Sequence, residues 1–171
     1  RLLSQDEVND LLSLTHDCSG SCYTAAVAEY YMDEDSWAIG LADEVKDSSG
    51  NGYHGTAYGS AAVNKTDSRL CYADEFSNND SYIEITGLPV STTAGDKTTV
   101  CFWMKWAGNA SEMPIGWGSA YDLWFRTTDQ FGFNTGCSDL FGISGAGSLA
   151  NDWHHVAAIF TNNAPSKNQL Y

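Results

Sequence analysis

The sequence predicts an all-β chain built mainly from antiparallel strands, and three observations predict it. Helical periodicity does not return after the first fourteen residues. Short runs rich in β-branched and aromatic residues recur at 27–32, 56–58, 70–76, 82–85, 99–106, 123–126, 130–134 and 154–160. Clusters of Gly, Asn, Asp and Ser separate these runs, and no connection is helical enough to return a parallel strand. Such spacing suits a two-sheet antiparallel sandwich or a barrel.

The chain opens with RLLSQDEVNDLLSL, in which Ser4 precedes Glu7 by three residues, the spacing of a capping box. Leu2, Leu3, Val8, Leu11, Leu12 and Leu14 follow mainly helical spacing, so a short amphipathic helix is expected over about residues 4–14. THDCSGSCYT, residues 15–24, reads as a linker. The domain expectation is therefore helix and linker over 1–24, then one β domain over 25–171. At 99–106, Val100, Phe102, Met104 and Trp106 form one apolar face, while Cys101, Trp103 and Lys105 form the other. That is the pattern of a central strand with a core side and a half-exposed side.

A chain of 171 residues suffices for one core. Its formal net charge of −14 repels phosphate backbones and anionic lipids, which disfavours nucleic acid as a partner and makes divalent cations the natural small ones. No run reaches the ~18 apolar residues of a membrane-spanning helix, so membrane insertion is not expected. The residues at Arg1 do not read as a signal peptide, and the chain is expected to begin within a longer protein. Five cysteines, at 18, 22, 71, 101 and 137, include no C-x-x-C pair and no cluster that completes a zinc site. Cys18 and Cys22 are read either as a short-loop disulfide of an oxidising compartment or as free thiols. The odd count leaves at least one cysteine unpaired within the chain.

Five motifs in order resemble the landmarks of laminin-G-like (LamG-like), concanavalin-A-like jelly-roll domains: AEYYMDED (28–35), EVKDSSGNGYHGTA (44–57), RLCYADEFSNNDSYIEI (69–85), TTVCFWMKW (98–106) and NDWHHVAAIF (151–160). The likeness is greatest to modules of bacterial surface proteins, including those of the biogenesis proteins of mannose-sensitive haemagglutinin pili. It runs from about residue 26 to the end. The resemblance implies a non-enzymatic recognition module at the cell surface or outside the cell. It would bind carbohydrate or a surface protein, as one of several modules of a larger chain. The alternatives are an architectural spacer and a glycoside hydrolase. Related domains continue past QLY into an Asp-Gly turn and closing strands, and RLLSQDEVNDLL is similar to the helix that ends them. The chain is thus expected either to join the tail of one repeat to an incomplete second, or to use the leading helix in its own fold.

In DSSGNGYHG, residues 47–55, Asp47, Ser49 and Asn51 alternate before Gly52, as oxygen ligands do in the first half of a calcium loop. The twelfth position is Tyr58 and no helices flank the loop, which excludes an EF-hand. Two readings stay open. One is a structural calcium site with side-chain oxygens from Asp47, Ser49 and Asn51 and carbonyls near Tyr53 and His54. The other is a turn in which Gly and Asn take positive φ. Asp33, Glu34 and Asp35 either join that site or form a solvated acidic turn.

The stretch 113–145 interleaves Trp117, Tyr121, Trp124, Phe131 and Phe133 with Gly, Asn and Asp. Trp117 and Tyr121, in a Gly-rich loop, are expected to be the more exposed rings. With Asp122, Asn134 and Asp139 they form a candidate carbohydrate site, set against the alternative that the rings are core. Catalysis is not expected: Asp33 and Asp35 lie in a turn-like stretch, Glu84 has no carboxylate strand-mate, and neither a G-x-S-x-G elbow nor H-E-x-x-H is present. His154 and His155 point to opposite faces of a strand and cannot share one metal.

Overall fold

The computed structural model describes residues 26–64, 68, 72–117, 121–136 and 139–171. The expected N-terminal helix and the Cys18–Cys22 pair lie outside these residues. The described chain is all-β, with strands β1 (Gly55–Tyr58), β2 (Ala61–Asn64), β3 (Ala73–Phe76), β4 (Tyr82–Ile85), β5 (Lys97–Lys105), β6 (Glu112–Gly116), β7 (Asp122–Thr127), β8 (Gln130–Asn134), β9 (Leu140–Ser144), β10 (Trp153–Thr161) and β11 (Gln169–Leu170). Single 3-10 turns over Ala146–Leu149 and Pro165–Lys167 are the only helical pieces among the described residues. No described helix is long and apolar enough to cross a membrane.

Every paired strand is antiparallel. One sheet runs β6-β7-β8-β9, a second β11-β10-β5, and β1-β4 and β2-β3 form two separate ladders. The inward residues of the first two sheets meet in one hydrophobic cluster. Leu123 and Phe125 come from β7, Phe131 and Phe133 from β8, and Val156, Ala158 and Phe160 from β10. Val100, Phe102 and Met104 of β5 pack against it. The rings are layered: Trp106 stacks on Phe125 at 3.9 Å, and Phe125 on Phe131 at 4.3 Å. Burying such rings supplies about 25 cal/mol for each Å² of apolar surface, and close stacking adds to it.

The alternation expected in β5 is present, with Cys101, Trp103 and Lys105 turned outward. Its place in the sheet differs from the expectation: β10 occupies the middle, and β5 is an end strand of the β11-β10-β5 ladder. Alternation reports which face is buried, not how many neighbours share the hydrogen bonds, and so could not distinguish the two.

Residues 27–32 are the clearest departure, because they are not a strand. Their backbone groups are taken up by the loop at 47–51. Glu29 N–H donates to Asp47 Oδ1, Glu29 C=O accepts from Ser48 N–H, and Val27 C=O accepts from the Asn51 amide. Strands β2, β6, β9 and β11 were not foreseen. For β9 the reason is visible at Gly132, where a Cβ would sit 2.3 Å from Leu140 O. Only glycine lets β9 cross that point, and the register of β8 against β9 shifts there.

A smaller cluster lies in the N-terminal half. Val45, Ala57 and Ala61 are buried, with Tyr30, Met32, Trp37 and Ile83 packed around them.

Candidate functional site

Two places gather the residues singled out in the sequence. The first is the 47–54 loop. Asp47 is only 6% exposed, and its carboxylate accepts four hydrogen bonds: from Glu29 N–H at 3.0 Å and Ser49 N–H at 2.9 Å on Oδ1, and from Ser49 O–H and Tyr53 N–H, both at 2.9 Å, on Oδ2. Burial by itself disfavours the charge, but these donors outweigh it and hold the carboxyl well below the usual carboxylate range. Asp47 N–H in turn donates to His54 Nδ1 at 2.9 Å, and the Tyr30 hydroxyl donates to Tyr53 C=O. Burial, with the nearby Asp47 charge, pushes the Tyr30 phenol up to about 12.

This donor set bears directly on calcium. The lone pairs of Asp47 face N–H and O–H hydrogens, the Asn51 amide nitrogen is directed at Val27 C=O, and Tyr53 C=O is already occupied by Tyr30. In this arrangement the loop does not fit a cation, and coordination by Asp47 requires its donors to turn away. Gly50 and Gly52 take φ of 87° and 80°, as the turn reading expects of glycine, whereas Asn51 does not take a positive φ.

Glu34, by contrast, points inward. Its Oε1 accepts Lys46 N–H at 2.6 Å, while its Oε2 and both oxygens of Asp74 are buried without a hydrogen-bond partner among the described residues. Burial, reinforced by Glu34, pushes the Asp74 carboxyl up to about 7. A raised acid beside a second carboxylate is also found in acid catalysts. Here Glu34 Oε2 and both Asp74 oxygens are closed off from solvent. Asp33, Asp35 and Glu84 are exposed.

The second place is a cleft of about 340 Å³ where the start of β7, the end of β8 and the end of β10 converge. Tyr121, Asn134, Phe160, Asn162, Asn163 and Asn168 line it, with Thr92, Thr135, Thr161 and Pro165. No residue of this lining is charged. The Tyr121 hydroxyl donates to Asn162 Oδ1 at 2.9 Å, and the Asn162 amide donates to Ser91 C=O. Asn168 Oδ1 accepts Thr161 N–H at 2.7 Å, and its amide nitrogen has no hydrogen-bond partner among the described residues.

The five residues read as a carbohydrate site all gather around this end of the molecule, in different roles. Tyr121 and Asn134 line the cleft. Trp117 lies behind Tyr121, edge-on to Phe160 at 5.4 Å. Contrary to expectation, Trp117 and Tyr121 are half-buried against the core rather than exposed, because Phe160 provides an aromatic partner for both. Burial raises the Tyr121 phenol. Asp122 is 1% exposed and out of a ligand's reach. It receives the Asn134 amide at 3.3 Å, its Oδ1 has no partner among the described residues, and its pKa is raised. Burial is the main cause and Asp139 adds to it, against a lowering by the Asn134 bond. Asp139 Oδ1 accepts Thr135 N–H at 3.3 Å and closes the loop after β8.

Sequence reasoning missed Asn162, Asn163 and Asn168. Their only signal was an Asn-rich stretch directly after a strand. His154 and His155 do face opposite ways: His154 pairs with Met104 on the core side, while His155 lies edge-on to Trp103 at 5.3 Å.

No family model matches the chain, and neither does any curated protein or solved structure.

Proposed function

We propose that the chain is a LamG-like, two-sheet jelly-roll module of a secreted or surface protein, and that it recognises carbohydrate in the cleft beside Tyr121. The observation that carries this reading is the lining: uncharged, rich in side-chain amides and hydroxyls, and backed by the packed rings of Tyr121 and Phe160. Sugars present ring faces and hydroxyls, which match such a mixture of apolar and hydrogen-bonding surface. Amides already held by neighbours, as in Asn162 and Asn168, lose little freedom on binding. The order of the five sequence motifs supports the LamG-like fold, and the two sheets meeting in one core are compatible with it.

The test is a glycan array followed by titration with Asn168→Asp. That substitution keeps the acceptor for Thr161 N–H and removes the amide donor. At least one glycan is expected to bind, and the variant to bind it about tenfold more weakly with an unchanged melting midpoint. Silence across the array would favour the spacer reading, and equal binding by the variant would move the site elsewhere.

A further inference from the structure

The cleft beside Tyr121 is uncharged at its surface but not behind it. Three carboxyl groups stand one residue back from the lining. Asp122 Oδ2 accepts the Asn134 amide at 3.3 Å, and Asp139 Oδ1 accepts Thr135 N–H at 3.3 Å. Asp96 Oδ2 accepts the Ser91 hydroxyl at 2.6 Å, and Ser91 C=O in turn receives the Asn162 amide. The Asp96 backbone is tied to the same residue, its C=O accepting Asn162 N–H at 2.9 Å. Asp139 is near enough to Asp122 for its charge to help raise the Asp122 carboxyl.

Cations are placed differently. Among the described residues no Lys, Arg or His lines the cleft. Lys97 lies opposite Thr161 in the ladder and Lys167 precedes Asn168 in the chain, but both are exposed, where water and salt screen a charge. Asp122, at 1% exposure, and the half-buried Asp139 are screened less. The side chains free to meet a ligand are neutral: the Asn168 amide nitrogen, the Asn163 amide and the Thr92 hydroxyl make no side-chain hydrogen bond to another described residue. They can exchange hydrogen bonds with sugar hydroxyls, yet they offer no countercharge to a carboxylate or a sulfate. An anion taken out of water without a paired cation is strongly disfavoured, and a like charge nearby adds to the cost.

We infer, on the reading that this cleft recognises carbohydrate, that its ligands are neutral sugar residues and that it rejects the same sugars when they carry a carboxylate or a sulfate. Selectivity then comes from the missing cation in the lining and the acids behind it, while the amides and hydroxyls supply the attraction.

A glycan array that carries neutral sugars beside uronate, sialylated and sulfated ones tests this. One neutral hit is then titrated against the same glycan with a terminal CH2OH oxidised to carboxylate, and against the uncharged primary amide of that acid. Hits are expected among the neutral glycans, with the acid bound about tenfold or more weakly and the amide within about threefold of the parent. Thr92→Lys, at an exposed position of the lining, should leave the melting midpoint unchanged and bring the acid to within about threefold of the neutral parent. Hits confined to anionic glycans, or an acid bound as well as its parent, would overturn the inference and leave carbohydrate recognition standing. An amide as weak as the acid, or a gap that Thr92→Lys does not narrow, would overturn charge as its cause. Silence across the whole array would remove carbohydrate recognition itself, and this selectivity with it.

Discussion

The two halves of the molecule are held together by different physics. From β5 onward, strands converge on a core of Trp106, Leu123, Phe125, Phe131, Phe133 and Phe160, all no more than 4% exposed. In the N-terminal half only Val45, Ala57 and Ala61 are buried apolar residues in the local cluster, and the segment 26–32 makes no strand ladder. What organises it is a single carboxylate, Asp47, with four protein donors. Where apolar volume is scarce, a saturated polar hub can order backbone that would otherwise leave its N–H groups unsatisfied. Such a hub is unforgiving, since losing the acceptor strands several donors at once.

The comparison is broken most directly by Phe125→Ala. Phe125 lies between Trp106 and Phe131, and its loss should cost about 3–5 kcal/mol, a large share of the ~5–15 kcal/mol available to a domain. Urea unfolding followed by tryptophan fluorescence measures it. A cost near 1 kcal/mol would mean that the aromatic stack does not dominate.

Asp47→Ala should come next, at about 2–3 kcal/mol. Its effect should be local: amide exchange speeds up over 26–54, while β7, β8 and β10 stay protected. Uniform loss of protection would show that the two halves are one cooperative unit.

The pH response sharpens the contrast within the N-terminal half. Asp74 is raised from 3.8 to about 7, so between those values the folded state binds more protons than the unfolded state. Stability from Asp74 is therefore complete below about pH 4 and lost as pH rises through 7. Asp47 is lowered and acts in the opposite sense: its contribution is present above its ordinary 3.8 and lost as pH falls below that. Asp74→Asn should raise the melting midpoint at pH 8 by about 3 °C and leave it nearly unchanged at pH 4. An equal shift at both values would rule out titration as the cause.

The smallest effect is expected from calcium. With Asp47 occupied by its own donors, millimolar calcium should move the midpoint by less than about 1 °C. A clear upward shift would show that the loop reopens around a cation.

Some of this was legible from residues alone. β4 and β8 fall on the runs read for them, β5, β7 and β10 nearly so, and the inward set of β5 follows from its alternation. The stretch 27–32 misled because its apolar and aromatic residues resemble a strand, while its hydrogen-bond partners lie about twenty residues away in a loop. The 113–145 aromatics were equally ambiguous: alternation divides rings between faces, but only Phe160, arriving from β10, decides that Trp117 and Tyr121 are half-buried.

By itself, the sequence determined what depends on local pattern: the all-β class, the antiparallel pairing, the turn glycines and the net charge that disfavours polyanionic partners. Tertiary structure alone decided what depends on residues distant in the chain. It made β10 rather than β5 the middle strand, brought Asn162 and Asn168 to the cleft beside Tyr121, buried Asp122, set Glu34 against Asp74, and surrounded Asp47 with donors. Period-two alternation is a property of a single strand. Burial, shared protons and saturated lone pairs are properties of the neighbours that folding brings to it.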